Sequence, residues 1–173
     1  MVSLLQTLWR ALRGPTPRLI CDARTWNAGV DELRRRAAGR RESGAFLLGH
    51  AEGDLRRVRQ FLFYDDIDQT CFANGIVEFD GAKFGKVWEH CRTRNLTVVA
   101  DVHVHPGYYG QSHSDRQNPM IAEVGHLALI IPDYAARKRL PDGIGIYEYR
   151  GNRQWRDHSR NGDRTFHVGW WPA

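Results

Sequence analysis

The 173-residue sequence has little cysteine: Cys21, Cys71 and Cys91 are widely spaced, odd in number and form no CxxC pair. That argues against a disulfide framework and against a thiolate zinc site, and a cytoplasmic, reducing setting is expected. Long apolar runs are also lacking. None approaches the ~18 residues a membrane span needs, and the stretch from Val2 to Leu12 is broken by Gln6 and Arg10. Neither a transmembrane protein nor a secretory signal peptide fits. Internal repeats and low-complexity linkers are missing as well, so one domain with a short extension is expected. What remains is globular material, since 42% hydrophobic and 26% charged residues exclude a disordered or collagen-like chain.

The net charge of +5 is unevenly spread. Residues 1–41 hold nine arginines and no lysine, against Asp22, Asp31 and Glu32, whereas the rest of the chain carries −1. A basic patch can meet nucleic acid or an acidic partner. The two aromatic residues of this stretch, Trp9 and Trp26, belong to the expected apolar helix faces and do not interleave the arginines as a stacking platform requires, so a solvated helix face is the preferred reading and nucleic acid is not favoured.

Leu4, Leu5, Leu8 and Leu12 recur at helical spacing beside Trp9, so residues 1–20 are expected to be an N-terminal amphipathic helical extension, helical over 2–13 and ended by Gly14 and Pro15. A second helix is expected from an N-cap at Thr25 to near Gly39, burying Trp26, Val30, Leu33 and Ala37. Strands are expected over 45–51 and 55–64, joined through Glu52-Gly53-Asp54, with a third run near 75–79. Asp80 then caps a helix with Phe84, Val87, Trp88 and Cys91 on one face. Further strands are expected over 96–104, 126–132, 143–149 and 153–158, the last two turning at Gly151-Asn152. This order predicts a mixed α/β domain over residues 21–173 whose sheet carries flanking helices.

His103-Val104-His105 lies at the end of an expected strand. Residues i and i+2 of a strand share a face, so both imidazoles can reach one metal ion, a geometry zinc accepts. By itself the pair is weak evidence for a metal, and exposed or structural histidines are the commoner case. Pro106 ends the strand, and a short loop leads to Ser112-His113-Ser114-Asp115, where Asp115 offers an oxygen ligand and His113 is its rival. Two imidazoles and a carboxylate leave a fourth tetrahedral position open, as a catalytic zinc site requires. Such a hydrolase also needs a base that is not a ligand. Glu42, at the entrance to an apolar strand, is the best candidate, the alternative being that it offsets Arg40 and Arg41.

The segment from Glu42 to Gly49 (ESGAFLLG), then Asp101 to Pro106 (DVHVHP), then Ser112-x-x-Asp115, in that order, resembles the JAMM (MPN-domain) metallopeptidases, specifically their compact bacterial branch. The resemblance covers residues 20–160. It implies a single mixed-sheet JAMM/MPN domain, similar to cytidine deaminases, and a zinc-dependent hydrolase that cleaves isopeptide or peptide bonds after a ubiquitin-like protein. By the same resemblance His103, His105 and Asp115 hold Zn2+, Glu42 does acid–base work, and Ser112 hydrogen-bonds the oxyanion or the water. The implied partners are a ubiquitin-like tail as substrate and proteins of a conjugating pathway, which in bacteria include antiviral systems.

The commonest family pattern has six residues between proline and serine, and Gly107 to Gln111 supplies five, with two glycines for a compensating turn. Asp101 shares the histidines' strand face and either orients a ligand imidazole, contacts substrate or faces solvent. Tyr108 and Tyr109 are candidates for gripping a substrate tail or for anchoring the loop. His50, His90, His126, His158 and His167 read as structural or exposed, and Trp155, Trp170 and Trp171 as core or a partner patch. Two competing readings stay open: a zinc hydrolase trimming sulfur-carrier proteins or small peptides, and a noncatalytic scaffold or nucleic-acid-associated module.

Overall fold

A computed structural model of the chain describes residues 17–137 and 141–170. The helix expected over 2–13 lies outside them. The first described elements are strand β1 (Leu19–Cys21) and helix α1 (Ala23–Ala37). Helix α1 buries Trp26, Gly29, Val30, Leu33 and Ala37, a stripe at 3.6-residue spacing, and its last turn carries Arg34, Arg35 and Arg36, favourably placed for the helix dipole. Its N-cap is Asp22, not Thr25: the Asp22 carboxylate accepts the Thr25 backbone N–H, so the helix begins earlier than the hydrophobic pattern announces.

Strands β2 (Gly44–Glu52) and β3 (Leu55–Phe63) form the expected hairpin, with Glu52 opposite Leu55 and only Gly53 and Asp54 between them. Gly53 takes φ +58°, which a tight hairpin turn demands. Tyr64 leaves the strand to open the short helix α2 (Tyr64–Ile67). The run at 75–79 is not a strand. Its donors are met one by one, Val77 N–H by the Glu42 carboxylate and Glu78 N–H by the Cys71 carbonyl, so no ladder forms. Asp80 caps a 3₁₀ turn (Gly81–Lys83) by accepting the Ala82 N–H, and α3 (Phe84–Arg94) follows. Val87 and Cys91 are buried, but Trp88 is 48% exposed, stacked along Phe84 at the edge of the stripe.

Strand β4 (Thr97–Val104) is central, and β5 (Leu127–Ile131), β6 (Gly145–Tyr149) and β7 (Trp155–Asp157) follow it. Helix α4 (His113–Gln117) lies between β4 and β5, and α5 (Gly162–Thr165) precedes β8 (Phe166–Val168). The eight strands make one mixed sheet ordered β7-β6-β5-β4-β2-β3-β1-β8. Parallel pairs are β4/β5, β1/β3 and β1/β8, and the rest are antiparallel. The three-residue strands β1 and β8 escape a periodicity reading because they are too short to show alternation, and β1 straddles the expected border at residue 20/21.

The mixed α/β expectation therefore stands, with a core on each face. Ala45, Leu47, Val102, Val104 and Leu129 pack with α1 on one face, and Phe46 and Leu48 pack with Tyr64, Val87 and Cys91 on the other. Covering both faces explains the apolar runs Ala45–Leu48 in β2 and Val98–Ala100 in β4.

Candidate metal centre

His103 and His105 stand where β4 runs out between two neighbours. Val104 N–H donates to the Ser43 carbonyl on one side and His105 N–H to the Ile131 carbonyl on the other, which fixes the backbone of both histidines. Beyond them Asp133, Tyr134 and Ala135 take three consecutive left-handed conformations (φ 55°, 51° and 56°). Such residues cost roughly 1–2 kcal/mol each. The turn they make brings Tyr134 N–H to the His105 carbonyl and Asp133 N–H to the Gly107 carbonyl, clamping the chain just after the histidine pair.

Asp115 comes from α4. Ser112 is the N-cap of that helix: its Oγ accepts the Asp115 N–H at 3.1 Å and its own N–H donates to Asp115 Oδ2 at 2.6 Å, a reciprocal capping box. The box turns the Asp115 carboxylate back toward β4. His103 Nε2 lies 2.9 Å from His105 Nε2 and 3.4 Å from Asp115 Oδ1, and His105 Nε2 lies 3.3 Å from Asp115 Oδ2. Tetrahedral zinc with ligands at ~2.0–2.1 Å has ligand–ligand edges of about 3.3 Å. The three residues thus form a group that could hold a metal ion, with both histidines buried. Burial works against charge on His103, but the Asp115 hydrogen bond and charge outweigh it and raise its pKa. Burial likewise pushes Asp115 up, and the bonds from His103 and His105 overcome this and hold it far below the usual carboxylate range.

Glu42 is close but differently engaged. Its Oε1 lies 3.8 Å from His105 Nε2, while Oε2 accepts the Val77 N–H at 2.8 Å. Its side chain is 12% exposed, and Arg41 pairs with Asp65 at 3.2 Å, so Glu42 is not the counter-charge of that arginine. The segment at 75–77 is therefore what positions Glu42, accepting the Glu42 N–H on the Gly75 carbonyl and donating Val77 N–H to its carboxylate, a role its apolar residues did not reveal. His113 is exposed and lies outside the ligand group. The short loop to Ser112 is accommodated by close packing on β6: Tyr147 OH donates to the Tyr109 carbonyl, which would collide with any Cβ on Gly145, so only glycine fits there. The Tyr108 and Tyr109 rings lie 4.1 Å apart between centres, tilted by 31°, with Tyr108 71% exposed.

Asp101 does not hold a ligand imidazole. Its Oδ1 is 2.7 Å from His126 Nε2, and its Oδ2 accepts the Tyr64 hydroxyl at 3.2 Å, all three residues being buried. Burial, then the charge of Asp101, keeps the Tyr64 phenol protonated by pushing its pKa up. This group was missed because its members are joined by tertiary structure: the β4/β5 register sets Asp101 opposite Ala128 and so brings in His126. His158 and His90 are also partnered, with Glu148 at 2.8 Å and Gln60 at 3.1 Å. Trp155 donates its indole N–H to the Arg116 carbonyl, Trp170 is 83% exposed, and Trp171 lies outside the described residues. A cavity of about 430 Å³ opens beside the ligands, with His103, Asp115 and Trp155 in its wall.

No family model matches the chain. Among solved structures, its fold is similar to the solution structure of protein DSY2949 from Desulfitobacterium hafniense, with a TM-score of 0.64 over 87% of this chain and 92% of that one, at 14% sequence identity. At that identity the likeness concerns the fold alone. No helix among the described residues is long and apolar enough to cross a membrane.

Proposed function

We propose that the protein is a JAMM-type zinc peptidase or isopeptidase that cuts after the C-terminus of a ubiquitin-like protein, working in the cytoplasm within a modifier pathway. The observation that carries this reading is the convergence of His103, His105 and Asp115 with the carboxylate of Glu42 beside them but outside the ligand set. The central position of β4, with α1 and α3 on opposite faces of the sheet, supports the JAMM/MPN fold. The donor set also fits the ion: two neutral imidazoles and one carboxylate are a common catalytic zinc set.

Zinc held there would supply a Lewis acid that polarises the scissile carbonyl and acidifies the attacking water. The chain's own groups do the rest. Val77 N–H holds Glu42 Oε2, so Oε1 is the oxygen that takes the proton from the water and returns it to the departing amine. Ser112 spends a lone pair on the helix cap and keeps its hydroxyl hydrogen, which can donate to the carbonyl oxygen as negative charge grows. Trimming of small peptides is the second reading, favoured by the cavity that adjoins the ligands.

The test is direct. Purified protein should carry near-stoichiometric zinc and release the C-terminal extension of a ubiquitin-like fusion, with loss of cleavage on chelation and recovery on adding zinc. Cleavage that persists in metal-free protein contradicts the reading, and zinc-loaded protein that cuts neither the fusion nor a peptide points to a scaffold.

A further inference from the structure

The cavity beside the ligands, at about 430 Å³, falls within the ~300–1,000 Å³ typical of small-molecule sites. Because His103 and Asp115 form part of its wall, any group filling it lies next to the bond being cut. A glycine-only tail has no side chain to place there. Phe79, Phe84, Met120, Ile130 and Trp155 make an apolar lining suited to a long aliphatic stem. The charges on the lining, apart from the ligand residues, are all of one sign: Asp68, Glu78, Asp80 and Asp101, with no lysine or arginine among the lining residues.

These carboxylates are held in position. Asp68 accepts the Thr70 hydroxyl and N–H on one oxygen and the Asp80 N–H on the other, Asp80 caps the following turn, and Asp101 is fixed by His126 and Tyr64. Each carboxylate still has acceptor capacity, Asp68 through Oδ2 alone. An incoming anion meets like charge in a partly enclosed space, whereas a cation is drawn in.

Building on the peptidase reading, we infer that this cavity is a specificity pocket for a lysine or arginine side chain flanking the scissile bond, its stem against the apolar wall and its cationic tip among the carboxylates. Substrates would then extend beyond glycine-ended tails to peptides with a basic residue at the cut.

Binding and cleavage are measured separately. Zinc-loaded protein is titrated with Nα-acetyl-lysine amide, Nα-acetyl-norleucine amide and Nα-acetyl-glutamate amide, and the Trp155 signal is isolated by difference from Trp155→Phe. Saturable binding is expected with the lysine amide at least about 10-fold tighter than the glutamate amide, norleucine falling between. Glu78→Lys changes an exposed side chain and gives up one exposed hydrogen bond, from Asn74, so folding should be preserved, and it should shrink that ratio. Met120→Trp should fill the cavity and weaken all three. Peptides bearing Lys, Gly or Glu at the cut are then compared for hydrolysis. Equal binding of the amides, or tighter binding of the glutamate amide, overturns the pocket. Equal cleavage of all three peptides overturns the pocket while leaving the peptidase reading intact, and lysine-selective binding with no peptide cleaved overturns the peptidase reading alone.

Discussion

On one face of β4, Asp101 sits between the Tyr64 hydroxyl and the His126 imidazole, and two and four residues further on His103 and His105 face each other and Asp115. Both regions are buried and built from histidine and aspartate. In the first, each carboxylate oxygen has its own donor. In the second, three ligand atoms from two elements point to a common centre at spacings that suit a metal ion. Glu148 repeats the closed pattern, gripped by Arg18, Arg150 and His158. Residue type therefore does not separate a group that could hold a metal ion from a structural one, and the convergence of three ligand atoms on one centre does.

The largest effect should come from breaking the convergent group. His103→Ala or Asp115→Ala should lose zinc and cleavage together, because two remaining ligands cannot hold a tetrahedral site. Metal analysis and hydrolysis of the fusion check this, and a variant that keeps both would remove that residue from the ligand set. Breaking the closed group should act on folding instead. Asp101→Ala leaves His126 and the Tyr64 hydroxyl buried without their acceptor, which should cost about 1–3 kcal/mol for each in urea unfolding. Zinc affinity that falls while stability holds would show that Asp101 serves the ligands after all.

What was legible in the sequence follows the same division. The HxH pair, the proline that stops its strand and the Ser112/Asp115 spacing are local, so the order of residues along the chain already places them. Helix α1 and the β2/β3 hairpin were equally plain because their hydrophobic periods run over many residues. The 75–79 run is short and mostly apolar like a strand, yet its backbone is spent on Glu42, Cys71 and nearby loops, which only the fold determines. Partners such as His126 for Asp101 depend on strand register and leave no local mark.

A pH scan sharpens the contrast through Glu148. Burial raises its pKa, but hydrogen bonds from His158, Arg18 and Arg150 win and bring it from the ordinary 4.5 to about 2. A depressed carboxylate stabilises the fold above its unfolded pKa and loses that contribution as pH falls through the folded value. Stability of up to about 3 kcal/mol should therefore disappear between about pH 4.5 and 2, and Glu148→Gln should flatten that acid limb. Glu42→Gln should fold normally and cleave at least about 100-fold more slowly, or about 2.7 kcal/mol in barrier. The smallest effect on stability is expected for Ser112→Ala, about 1 kcal/mol from the lost helix cap. Its cleavage should fall with zinc retained, and Ser112→Thr should restore both cap and hydroxyl donor. Unchanged hydrolysis in the alanine variant would confine Ser112 to capping.

The separation of ligands from base is tested most directly by zinc titration calorimetry on the wild type, His103→Ala and Glu42→Gln in parallel. Near-stoichiometric binding by the wild type and Glu42→Gln, with none by His103→Ala, is the expected result. Wild-type zinc binding by His103→Ala, or loss of zinc from a folded Glu42→Gln, would contradict it.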